Sequence, residues 1–132
     1  MISQYSSVPY VDGGRDLSEG FDCFGLARHA LHHVFNGPLL DSFAGVFRNR
    51  PKIMASEFEN TVGTFEKCQP QPGALACCFH VTPGGNIFHH IGICINDYEV
   101  MHISSKSGYS VIPVRHFKRL AAKVEFYIYK GL

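Results

Sequence analysis

Cys23 stands in the run Gly20-Phe21-Asp22-Cys23-Phe24-Gly25-Leu26, directly before a helical apolar pattern. Far downstream, His89-His90-Ile91-Gly92-Ile93-Cys94-Ile95 reads as a strand that carries histidine. A thiol attacks carbonyl carbon as thiolate, and free cysteine has a pKa of about 8.5. Unpaired N–H groups and the positive dipole end favour the anion at the first turn of a helix. A neighbouring imidazolium lowers the pKa further. A cysteine opening a helix and a histidine on a later strand are therefore the two groups a cysteine hydrolase needs. The competing role for Cys23 is that of a small buried hydrophobe.

Eight histidines offer candidates for the base. His29, His32 and His33 lie six or more residues along the helix, about 9 Å or more up its axis, and are expected to pack or meet solvent. His89 and His90 point to opposite faces of their strand. His90 shares its face with Gly92 and Cys94, and the small Gly92 is expected to leave room for a helix start to approach. His90 is thus preferred to His89, which remains open as the alternative. His102 follows on the next strand, where antiparallel neighbours place side chains about 5 Å apart. It is a structural histidine or the group that holds the tautomer of His90. His80 and His116 have no comparable context.

Those residues need elements to hold them. The N-terminal segment is extended and closes in the Asp12-Gly13-Gly14 turn. Asp22 serves as N-cap of a helix from Cys23 to Phe35, ended by Asn36-Gly37-Pro38, with Leu26, Ala30 and Val34 on its inner face. Pro51 starts a second expected helix, with Met54, Phe58, Val62 and Phe65 as its apolar stripe. After Gln69-Pro70-Gln71-Pro72-Gly73 the pattern switches to strands at 74–79, 87–95, 99–103 and 109–114. A last strand follows, half-exposed, in which Val124, Phe126 and Ile128 alternate with Glu125, Tyr127 and Tyr129. Helices first and a meander of strands afterwards give an α+β class, in one domain across the 132 residues.

Taken together, Tyr10-Val11-Asp12-Gly13-Gly14 and the Cys23 run resemble the nucleophile region of NlpC-type cysteine peptidases, papain-like enzymes that cut peptide stems of the bacterial cell wall. Pro72-Gly73-Ala74-Leu75 resembles that family's entry into its first core strand. His90-Ile91-Gly92-Ile93-Cys94-Ile95 is similar to its histidine strand, and Val100-Met101-His102 to the strand of its third catalytic residue. The resemblance implies a papain-like fold, with N-terminal helices on a mostly antiparallel sheet of about five strands. It implies a Cys23, His90, His102 triad and hydrolysis of amide bonds in peptidoglycan stems, at the D-γ-glutamyl–diamino acid bond. It also implies pocket roles for Tyr10 and Asp22, including a site for a substrate amino group. Packing for Tyr10 and plain capping for Asp22 are the alternatives, and Tyr10 could also donate towards an oxyanion. Two departures stand out: Asp12 where the family commonly has an aromatic residue, and Phe24 where it has serine. An aromatic after the cysteine is similar to the branch found in phage tail tips.

Two further classes compete. One is a phage tail-tip assembly component with weak or latent activity, whose partners would be tail proteins. The other is a thiol amidase or acyltransferase. A formal charge of +1 favours neither nucleic acid nor an acidic membrane as partner, and Arg48-Asn49-Arg50-Pro51-Lys52 reads as a solvated basic loop. Five cysteines is an odd count, and adjacent Cys77 and Cys78 diverge in a strand, so a thiol protein is expected and not a disulfide framework. No cofactor is implied, and no metal, since His29 and His33 form an isolated pair. Neither a basic start with an apolar segment nor a run long enough to span a bilayer is present. Synthesis in the cytoplasm is expected, with delivery to a phage tail or the cell wall by another machine.

Overall fold

A computed structural model of the chain describes residues 2–42 and 63–131. A short 3-10 turn, Ile2–Tyr5, leads to two short paired strands, β1 (Arg15–Asp16) and β2 (Gly20–Phe21). Helix α1 (Cys23–His33) follows, then β3 (Phe65–Cys68), β4 (Leu75–Thr82), β5 (Gly85–Cys94), β6 (Glu99–Ser104) and β7 (Gly108–Pro113). A single-turn helix, α2 (Val114–Phe117), and β8 (Lys123–Tyr129) complete the order. The α+β class expected from the sequence is what forms: one main helix on a six-stranded antiparallel sheet ordered β3-β8-β4-β5-β6-β7. Six strands replace the expected five.

Helix α1 begins where the sequence places it. Asp22 is extended, and its Oδ1 accepts the Gly25 N–H at 2.8 Å, a cap worth about 1 kcal/mol. The helix stops at His33, two residues earlier than expected. Asn36 adopts a left-handed backbone with φ of 60°, and Gly37 N–H then closes on the Leu31 carbonyl at 2.8 Å. Leu26, Ala30 and Leu31 are buried against Ile91, Ile93 and Met101 of the sheet.

The sheet is covered on its other face as well. Cys78, Cys94, Val100 and Phe126 pack there with Phe117 of α2. The last strand is half-exposed along most of its length, as expected, with Phe126 buried. β8 lies inside the sheet between β3 and β4, with Val124 and Ile128 against one core and Tyr127 and Tyr129 against the other. The expected second helix as far as residue 62 and the basic loop at 48–52 lie outside the described residues. Phe65, assigned to that helix, opens β3 opposite Tyr129. Val114, expected in a strand, starts α2.

One irregularity decides where a site can form. β5 pairs with β4 along its whole length, and β6 does so with β7. Between β5 and β6, however, only Ile93↔Met101 and Cys94↔Val100 are paired. Beyond these the sheet splits into two hairpins. His90 and His102 stand just past the split. Among the described residues no helix is long and apolar enough to cross a membrane.

Candidate active site

The start of α1 is held by charge and backbone together. Asp22, 2% exposed, takes Arg15 Nη1 at 2.6 Å on Oδ1 and the Gly13 N–H at 3.1 Å on Oδ2. Arg15 Nη1 also reaches the Gly14 carbonyl at 2.7 Å, and its guanidinium lies 5.4 Å over the Phe24 ring. The Asp12-Gly13-Gly14 turn, the Arg15 strand and the helix start are thereby locked to each other. Asp22 spends both oxygens on this lock and does not line the cavity described below.

Cys23 is 8% exposed and packs with the core on the α1 side of the sheet. The backbone N–H groups of Ile91 and Phe24 lie near enough to its sulfur to favour the anion. In β5 the Cys94 N–H goes to Ala74 on the β4 side. By alternation Ile91 faces the side from which β6 has departed. The split thus leaves the Ile91 N–H without a partner on β6.

Burial pushes the Cys23 thiol up to about 12, and the Asp22 charge adds to the rise. The Ile91 and Phe24 N–H groups and the Arg15 charge pull the other way. At rest the thiol is therefore neutral, because desolvation outweighs the groups at the helix start that favour the anion.

His90 and His102 meet across the split: His90 Nε2 lies 2.9 Å from His102 Nδ1. His102, 6% exposed, has its Nε2 3.1 Å from Ser110 Oγ on β7. The Phe117 ring backs both imidazoles, with centroids 6.0 Å from His90 and 5.4 Å from His102. Burial first, then His102 and His89, depress His90 to about 3; burial also lowers His102. At neutral pH both rings are uncharged. His90 Nδ1 makes no hydrogen bond among the described residues and is the nitrogen left for proton exchange.

The room expected beside Gly92 is filled differently. A Cβ there would stand 2.6 Å from Val100 Cγ1 and 3.2 Å from His102 Cβ. Gly92 admits the neighbouring histidine strand and not the helix start. Cys23 instead comes close to β5 at the Ile91 amide.

A cavity of about 830 Å³ joins the parts, with Cys23, His90, His102 and Tyr10 in its wall. Tyr10 bridges to Phe21 in a parallel pairing and directs its hydroxyl towards Asp12 Oδ1 at 3.5 Å. Of the five residues singled out for chemistry, the structure brings Cys23, His90, His102 and Tyr10 to one cavity and leaves Asp22 behind it. His29 bonds the Tyr5 hydroxyl at 2.6 Å and His32 the Gly37 carbonyl at 3.0 Å, the packing roles expected for that helix.

Sequence reasoning overlooked Ser110 and Lys106 and set His80 aside; His80 and Lys106 also line the cavity. A hairpin turning about Lys106 sets residues four before and four after it opposite each other, so His102 and Ser110 were a readable pair. His80 was not readable, because a bulge brings it to His89. All five cysteines are free thiols. No group of three or more His, Cys, Asp or Glu side chains among the described residues is placed to hold a metal ion. Compared with models of known protein families and with curated proteins, the chain finds no match.

Proposed function

We propose that the protein is a cysteine endopeptidase of the papain-like NlpC type that hydrolyses amide bonds in peptidoglycan stem peptides. The observation that carries this reading is the 2.9 Å His90–His102 bond in the wall of the cavity that also holds Cys23. These residues follow in the order and on the kinds of element that the resemblance implies: helix start, strand, next strand.

The resting pair is a neutral thiol and a neutral imidazole. As a stem carbonyl enters, Cys23 Sγ bonds to the carbonyl carbon while its proton passes to His90 Nδ1. The carbonyl π electrons move onto oxygen, where the Cys23 N–H at the helix start is the available donor and the Tyr10 hydroxyl, turned from Asp12 Oδ1, would be a second. His90 then protonates the leaving amine as the C–N bond breaks, giving a thioester. Water, giving its proton to His90, cleaves the thioester and restores the thiol. Throughout, His90 Nε2–H donates to His102 Nδ1, and His102 Nε2–H donates to Ser110 Oγ. This chain fixes the tautomer that leaves Nδ1 free to accept.

A second reading, a tail-tip assembly component with latent activity, draws on one observation: the Cys23 thiol is pushed up to about 12 and His90 down to about 3, so no ion pair stands ready. Purified sacculi distinguish the two. Release of fragments cut between D-γ-glutamate and the diamino acid, identified by mass spectrometry, is expected of the peptidase. Intact stems after prolonged incubation would favour the assembly role.

A further inference from the structure

The cavity that Cys23 and His90 line is also lined by His80, His89 and Lys106. Register between β4 and β5 shifts at one point: Cys78 pairs with His90 and Phe79 with Phe88, so His89 is the extra residue of a bulge. Bulges re-aim side chains. Here the shift lays the His89 ring on that of His80, with centroids 3.8 Å apart and planes within 14°. His89 Nε2 is buried and has no hydrogen-bond partner. A buried polar atom left unpaired costs free energy that a bound acceptor would recover.

Also in the cavity wall is the turn between β6 and β7. Ser104 Oγ and Ser107 Oγ lie 2.7 Å apart, and Ser107 N–H donates to Ser104 Oγ at 3.1 Å. This bracing presents Lys106, exposed at the tip. The described lining contains four histidines and one lysine and no carboxylate. Its only fixed charge is positive.

We infer that His80, His89 and Lys106 form a subsite for a carboxylate of the substrate, beside the bond to be cut. This deepens the peptidase reading and rests on it for the position of the reacting atoms. A carboxylate supplies an acceptor for an imidazole N–H and a counter-charge for the ammonium at once. A neutral amide supplies only the first. The enzyme would therefore take stems whose free carboxyl lies near the scissile bond and discriminate against amidated ones.

Binding is measured with the Cys23→Ala protein, so that no turnover is involved. The probes are γ-D-glutamyl-meso-diaminopimelate and the same dipeptide with its carboxylates converted to carboxamides, each titrated by calorimetry. The acid is expected to bind roughly tenfold more tightly than the amide. Lys106→Gln should reduce the acid to the level of the amide, and Lys106→Arg should preserve the difference. The exposed turn tolerates both changes. In ring-nitrogen NMR, His89 Nε2 should shift with the acid and not with the amide.

Equal affinities, an unchanged ratio in Lys106→Gln, or no binding of either dipeptide would overturn the subsite. Hydrolysis by the wild type is read separately. A cleaving enzyme that ignores Lys106 refutes the subsite alone, and tight acid binding without cleavage refutes the peptidase alone.

Discussion

His90 and His102 share a hydrogen bond of 2.9 Å at the point where the sheet parts into two hairpins. The register of β5 with β6 ends at Ile93↔Met101, so the two histidines are not ladder partners of each other. Each is held by its own hairpin, and Phe117 closes behind both. In the proposed mechanism His102 accepts a hydrogen bond from His90 Nε2–H. An amide oxygen can do the same. His102→Asn is therefore expected to keep stem cleavage within about tenfold of wild type, and His102→Leu to lose about a hundredfold in kcat. Steady-state kinetics on a soluble stem peptide provide the comparison.

Ser110 acts one bond further out, through His102 Nε2 at 3.1 Å. Loss of one neutral hydrogen bond is worth about 1 kcal/mol, or roughly a fivefold effect. Ser110→Ala should lower kcat by that factor with KM unchanged, and Ser110→Thr should restore it. A KM effect of similar size would instead place Ser110 in substrate binding.

Asp22 is a prediction about stability before activity. Its carboxylate caps α1 and carries the buried pair with Arg15. Asp22→Ala leaves the guanidinium, itself only 11% exposed, without its partner, at a cost of about 3 kcal/mol or more in urea unfolding. Asp22→Asn keeps an oxygen for the cap and should lose clearly less. Equal losses would mean that the ion pair, and not the cap, dominates.

Acid should loosen the fold well before carboxylates titrate. His29, His89, His90 and His102 all have folded pKa values below the ordinary 6.5, each chiefly through burial. The unfolded chain therefore binds more protons as pH falls below about 6.5, and stability declines in that direction. For His90 the decline continues down to about 3. Between pH 6.5 and 5 this group alone should contribute a loss on the order of 1–2 kcal/mol. Urea unfolding of wild type and His90→Gln across that range tests it: the variant should show the shallower slope. Parallel slopes would mean that His90 is not buried neutral.

Much of this was legible in the chain, and what was not has identifiable causes. Asp22 before an apolar helical pattern located the α1 start to the residue, since a cap is a local event. The strand blocks were readable because alternation and turn residues are local too. The interior position of β8 was not, because Val124 to Tyr129 alternates in the same way whether its second face meets water or a second core. β3 escaped notice because Phe65 fits the helical spacing of Met54, Phe58 and Val62. The pairing of His90 with His102 was legible from strand order. The route by which Cys23 approaches was not: it depends on where the β5–β6 ladder stops, and Gly92 serves the neighbouring strand. The stacked His80 and His89 depend on a single-residue bulge, which leaves no distinct mark in an apolar run.

Stem cleavage by Cys23→Ala, compared with wild type on the same purified sacculi, tests the nucleophile most directly. The thiol is small and buried, so the variant should fold with an unchanged denaturation midpoint to within about 1 kcal/mol. Under those conditions muropeptide release should fall to background. Release at the wild-type rate by the folded variant would contradict a covalent role for Cys23, and with it the peptidase.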